Sequence, residues 1–107
     1  MAFDIGTVLK DMLSAAGDVL KDEAPKVKQC LKAAIDAEKD ALEDIAKARL
    51  AKEITAKEMQ SQLVDEKDAL KARLLVCEVK TKVAAQKAAN AAAAVFTAAV
   101  KAALKVI

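Results

Sequence analysis

The sequence predicts an all-α fold, and three observations carry that expectation. Twenty-six of the 107 residues are alanine and 32% are charged; Ala, Lys, Glu and Leu in such a mixture are strong helix formers. Only two glycines and one proline punctuate the chain, few for a protein built on turns. The strand-favouring aromatics are reduced to Phe3 and Phe96, with no Trp or Tyr. The length fits one helical domain, residues 1–107.

Helix 1 is expected over about residues 4–21, because Phe3, Ile5, Leu9, Met12, Leu13, Ala16 and Leu20 cluster at helical spacing. No basic leader precedes an apolar core, so this segment does not read as a secretory signal. The stretch KDEAPKV closes it. Pro25 suits the first turn of a new helix, with Asp22 and Glu23 as its N-terminal acids. Helix 2 is expected over about 25–52, with Val27, Leu31, Ile35, Leu42 and Ile45 on one face and Ala34, Ala41 and Ala48 beside them. Glu38 and Arg49 fall on that same face. The simpler reading is that both snorkel from the edge of the seam; the sharper one is a register device, Glu38 facing Arg73.

The next break lies in LAKEITAKEMQ. Ile54 and Thr55 are β-branched, and Thr55 with Glu58 forms a T-x-x-E capping box, so a turn is expected at 53–55. The segment is similar to the G-x-I-T-x-E-E hairpin turns of small bacterial helical domains, with a charged residue in place of the glycine. That likeness is confined to the turn and implies a shared turn solution only.

Helix 3 is expected over about 56–105, or ~75 Å at 1.5 Å per residue. Helix 2 can fold back along its first half, and helix 1 can lie along residues 84–107. The chain thus reads as a long antiparallel helical hairpin, coiled-coil-like, with helix 1 set off by the break at Pro25. A compact three-helix bundle is the alternative.

The two halves of helix 3 differ. Leu63, Leu70, Leu74 and Cys77 form a single seam in the first half, enough for one partner helix. The second half contains AANAAAAVFTAAV, thirteen uncharged residues from Ala88 to Val100. Ala84, Ala88, Ala91, Val95 and Ala102 continue the seam, and a second stripe appears across the helix: Leu75, Val79, Val83, Ala93, Phe96, Val100 and Leu104. A helix apolar over so wide an arc packs against several neighbours, and small side chains let backbones approach closely. Val79, Val83, Ala93, Phe96, Val100 and Leu104 are therefore the expected interface of a helical-bundle oligomer, formed with further copies or with another helical protein.

If the hairpin turns near residue 54, Cys30 and Cys77 face one another, one on each arm. They are either disulfide-bonded or adjacent thiols; without an export signal, reduced thiols are the default. Two cysteines without histidine do not fill a zinc shell, so no metal is expected.

Residues 1–54 carry nine basic and eleven acidic groups, residues 55–107 nine and five. After Glu78 come five lysines, Lys80, Lys82, Lys87, Lys101 and Lys105, and no acid. Cations suit a helix C-terminus; read functionally, they form a basic patch for an anionic surface. A net charge of +2 and two aromatic residues do not point to nucleic acid.

Catalytic motifs are lacking. The chain has no histidine to act as a general base near neutrality. Ser14 and Ser61 stand in no nucleophile motif, and Gly6 and Gly17 are isolated. The acids Asp36, Asp40, Glu43 and Asp44 are interleaved with Lys39 and Lys47 at helical spacing, the pattern of a solvated, ion-paired face. No catalytic residue, cofactor or small-molecule substrate is expected. The functional expectation is a non-enzymatic structural or interaction protein. The alternative is an amphipathic protein lying on a lipid membrane or granule surface through its basic, apolar C-terminal half. The longest uncharged run is short of the ~20 residues of a spanning helix. The expected location is the cytoplasm, with non-classical export as the other route.

Overall fold

Five helices follow one another in the computed structural model, which describes residues 3–106. They are α1 (Ile5–Val19), α2 (Pro25–Asp36), α3 (Lys39–Leu50), α4 (Ala56–Val76) and α5 (Lys82–Lys105), and the described residues contain no strand.

Local chemistry explains most of the boundaries. Asp4 caps α1: its carboxylate accepts from Gly6 N at 3.1 Å and from the Thr7 hydroxyl at 3.0 Å. Pro25 opens α2 in its first turn. Thr55 and Glu58 close a reciprocal capping box on α4, at 3.1 Å for Glu58 N to Thr55 Oγ1 and 2.8 Å for Thr55 N to Glu58 Oε1. Arg49, which the sequence left on an apolar face, reaches the turn and donates to the Ile54 carbonyl at 3.4 Å.

Two expected helices are each divided. The segment 25–52 breaks at Ala37–Glu38. Both residues keep right-handed backbone, but Glu38 N bonds back only to Ile35 O, at 3.0 Å. This tightened turn bends the rod without reversing it.

The segment 56–105 breaks completely at 77–81. Glu78 adopts φ 69°, and the N–H groups of Glu78 and Val79 bond to the carbonyls of Leu75 and Leu74 at 3.1 and 3.3 Å. This is a Schellman ending, with buried Val79 at the position whose hydrophobic contact accompanies the motif. Thr81 then caps α5 by accepting from Ala84 N at 3.0 Å. The same ending closes α3, with Lys52 at φ 61° and Glu53 N bonded to Ala48 O at 2.9 Å. A left-handed residue bearing a Cβ costs about 1–2 kcal/mol. A straight helix 3 in a single chain would have only helix 1 along its second half and would leave the face that α4 covers in water; burying two leucine-sized side chains already outweighs that cost.

Because of this reversal, α5 runs back along α4, and Gln60 Nε2 meets Thr97 Oγ1 at 3.3 Å. Helix α1 packs chiefly on α5, in the opposite direction; Phe3 stands edge-on to Phe96, with ring centroids 6.2 Å apart and planes at 86°. The bent α2–α3 rod packs along α4, and α1 also touches α2. The result is an up-down-up-down bundle of four rods, measuring 41 × 24 × 18 Å rather than the long hairpin expected from the sequence. Phe96, Leu20, Leu31, Ile35, Leu42, Leu74, Val27 and Val100 lie fully inside. Ala85, Ala88, Ala89 and Ala92 have no exposed surface at all, which is where the alanine run is used.

Candidate functional site

The six residues expected to form an interface do not share one surface. Phe96 and Val100 are fully buried, and Val79 and Ala93 nearly so. Val83 stands 63% exposed, and Leu104 is half-buried at the edge of the core. The fold-back at 77–81 is the reason: α1 and α4 of the same chain take the face that was assigned to another molecule.

Outside the core, α4 and α5 border a trough of about 400 Å³, and a groove of about 520 Å³ that reaches Val100 and Leu104 adjoins it at Gln60, Thr97 and Lys101. Val64, Ala94 and Ala98 give the trough an exposed apolar lining, the Gln60–Thr97 hydrogen bond crosses it, and Lys67 and Lys101 flank it. The trough was not legible beforehand, because residues near 64 and near 94 meet only after the reversal.

At one end of the bundle three links cluster. Cys30 and Cys77 are joined by a disulfide, with Cα atoms 5.7 Å apart, and not held as the reduced thiols that the sequence predicts by default. Lys26 Nζ meets Glu78 Oε2 at 2.7 Å. The hydrogen bond with Glu78, and then its charge, raise the lysine pKa and in turn lower that of the glutamate, although both side chains are exposed. Lys80 N donates to Glu23 Oε1 at 3.3 Å.

A second polar cluster sits at the α2–α3 bend. Glu38 is only 5% exposed and accepts from Arg73 Nε at 3.0 Å, the register-setting arrangement. Burial raises the pKa of the neighbouring Glu66, and the charge of Glu38 and a hydrogen bond to it add to the rise against the pull of Arg73. The slot beside this group, lined by Met12, Ile35, Ala89 and the two glutamates, offers about 10 Å³. That is room for one water at most, so these carboxyls face packed side chains and no substrate space. Among the described residues, no three His, Cys, Asp or Glu side chains are placed to hold a metal ion.

Helix α5 is long and apolar enough, by length and composition alone, to cross a bilayer, with a mean hydropathy of 1.2 over its most apolar stretch. In the bundle its alanine side packs against α1 and α4.

No protein-family model matches the chain, and neither a curated protein nor a solved structure is significantly similar to it. Fold and surface together define an all-α bundle with a disulfide at one end and, on one side, a trough of mixed polar and small apolar lining.

Proposed function

We propose that this protein is a non-enzymatic structural or interaction protein that works by self-assembly or by docking another helical protein. The observation that carries this reading is the open trough between α4 and α5. Its exposed lining of Val64, Ala94 and Ala98 matches the small-residue surfaces along which helices approach closely. The occupant it suits is a second copy. The trough is flanked by Lys67 and Lys101, and exposed Asp40 and Asp44 on α3 are the acids that would meet them, Asp36 being paired with Lys32 at 2.9 Å.

Light scattering after size exclusion tests this, with the chain mass of 11.3 kDa as the unit. Ala98→Arg, which fills the trough at an exposed position, should return a defined oligomer to monomers while the helical circular dichroism is unchanged. An oligomer of parental mass in that variant removes the trough from the reading.

The lipid-surface reading keeps one observation of its own. Val83 and Val106 project into solvent near the two ends of α5, 63% and 71% exposed, close to Lys82, Lys87 and Lys105. Co-sedimentation with vesicles containing anionic lipid at physiological salt supports it; a protein that stays in the supernatant rejects it.

A further inference from the structure

The two connections at the disulfide end of the bundle, residues 20–24 and 77–81, lie side by side. Glu23 of the first accepts from the backbone of Lys80 in the second, and Lys26, just past the first, pairs with Glu78 in the second. They form one line across the molecule. On one side of that line are α1 and α5, packed on each other; on the other are α2, α3 and α4, packed on each other and joined by Cys30–Cys77. Straightening both connections would preserve each of these packings. It would part the contacts that α1 and α5 make with the rest, together with the hydrogen bonds of the two turns themselves.

The second connection is closed by the Schellman bonds, buried Val79 and the Thr81 cap, but it carries one strained position. CEVKT contains neither glycine nor proline. Glu78 sits at φ 69°, where a side chain is disfavoured. On both sides the sequence continues in good helix formers, so that 56–105 reads as one uninterrupted helix. The faces parted by straightening are apolar and specific in shape, and an identical set of faces is the partner that covers them in the same register.

We propose that the chain exchanges its α1–α5 pair with a second copy, hinging at 20–24 and 77–81, so that α5 of each copy packs on α4 of the other. This rests on the self-assembly reading above but not on the trough, which the exchanged α4–α5 contact would form again; it is a mode distinct from surface docking. The disulfide ties Cys30 of α2 to Cys77, the C-cap of α4 and the first residue of the hinge, on the α4 side of left-handed Glu78; turning the chain at 78–81 leaves the bridge in place, so exchange does not require its reduction.

Gln60 and Thr97 touch across the α4–α5 contact, which makes them the reporters. The variant Gln60→Cys/Thr97→Cys is refolded at high concentration, separated into monomer and dimer, then crosslinked with a short bismaleimide that spans the reach of the replaced glutamine, with Cys30–Cys77 verified by peptide mapping. Exchange predicts 60–97 links within the chain in the monomer and between chains in the dimer, visible on a non-reducing denaturing gel. A dimer whose 60–97 links are all within one chain overturns exchange and leaves self-assembly by surface docking. Monomer at every concentration, for this variant and the parent alike, overturns both.

A second variant leaves the native cysteines alone. Glu78→Gly removes the backbone penalty of the closed turn and weakens the straight helix, so the dimer fraction should fall at least about fivefold. The exposed Lys26 pair that is lost with it is a smaller effect. An unchanged dimer fraction means that residue 78 is not the hinge and overturns the proposal.

Discussion

Phe96 shows most directly how the fold reassigns a side chain. It has no exposed surface and stands edge-on to Phe3, so it belongs to the core that α1 completes. Phe96→Ala should cost about 3–5 kcal/mol, read as a lower urea midpoint without a change of mass. Phe96→Asp would unfold the chain, because an unpaired charge cannot be carried in that core, and so it does not report on an oligomer. At the bend, Glu66 has its pKa raised by burial and by Glu38. The folded state therefore holds the Glu66 proton to higher pH than the unfolded chain does. Its favourable contribution is full below the unfolded pKa and is lost as pH rises through the folded one. Glu66→Gln should then unfold at higher urea than the parent at neutral pH, with the gap closing as the solution is acidified below the ordinary glutamate range. A constant gap across that range would refute the linkage.

Among the elements, the start of α4 was fully legible. Thr55 and Glu58 announce a capping box, and both of its hydrogen bonds form. Thr55→Ala should cost about 1 kcal/mol, measurable as a lower thermal midpoint with the helix count unchanged. The end of α4 was not legible. Val79 carries the periodicity of a continuous stripe, yet it serves as the buried residue that closes a helix end whose left-handed position is a glutamate, not a glycine. The bend at Ala37–Glu38 was equally silent. It has no Gly or Pro; the pairing of Glu38 with Arg73 is one of two readings the sequence offers, but nothing in the sequence marks a bend. The apolar breadth of α5 was legible, but its consequence was not. A helix apolar over most of its circumference needs several neighbours, and α1 and α4 supply them within the chain.

For the whole molecule, the Cys30–Cys77 bridge spans a sequence separation of 47, and a loop of that size constrains the unfolded chain by about 4 kcal/mol. Cys30→Ser/Cys77→Ser should lower stability by about 2–4 kcal/mol, and reductant should shift the parent's thermal midpoint toward that of the variant. If reductant leaves the midpoint in place, the bridge is absent from the folded protein in solution. The sequence alone determined the helical class, the starts at Asp4, Pro25 and Thr55, and the facing of Cys30 and Cys77, because caps, propensity and the periodicity of a single antiparallel turn are local or nearly so. Only the tertiary structure decided that 56–105 would fold in two, that the alanine face would be covered by α1 and α4, and that α4 and α5 would border a trough. That decision is a balance between one strained residue at 78 and the burial of a whole helix face, and a balance between a local cost and a distant gain has no signature in local sequence.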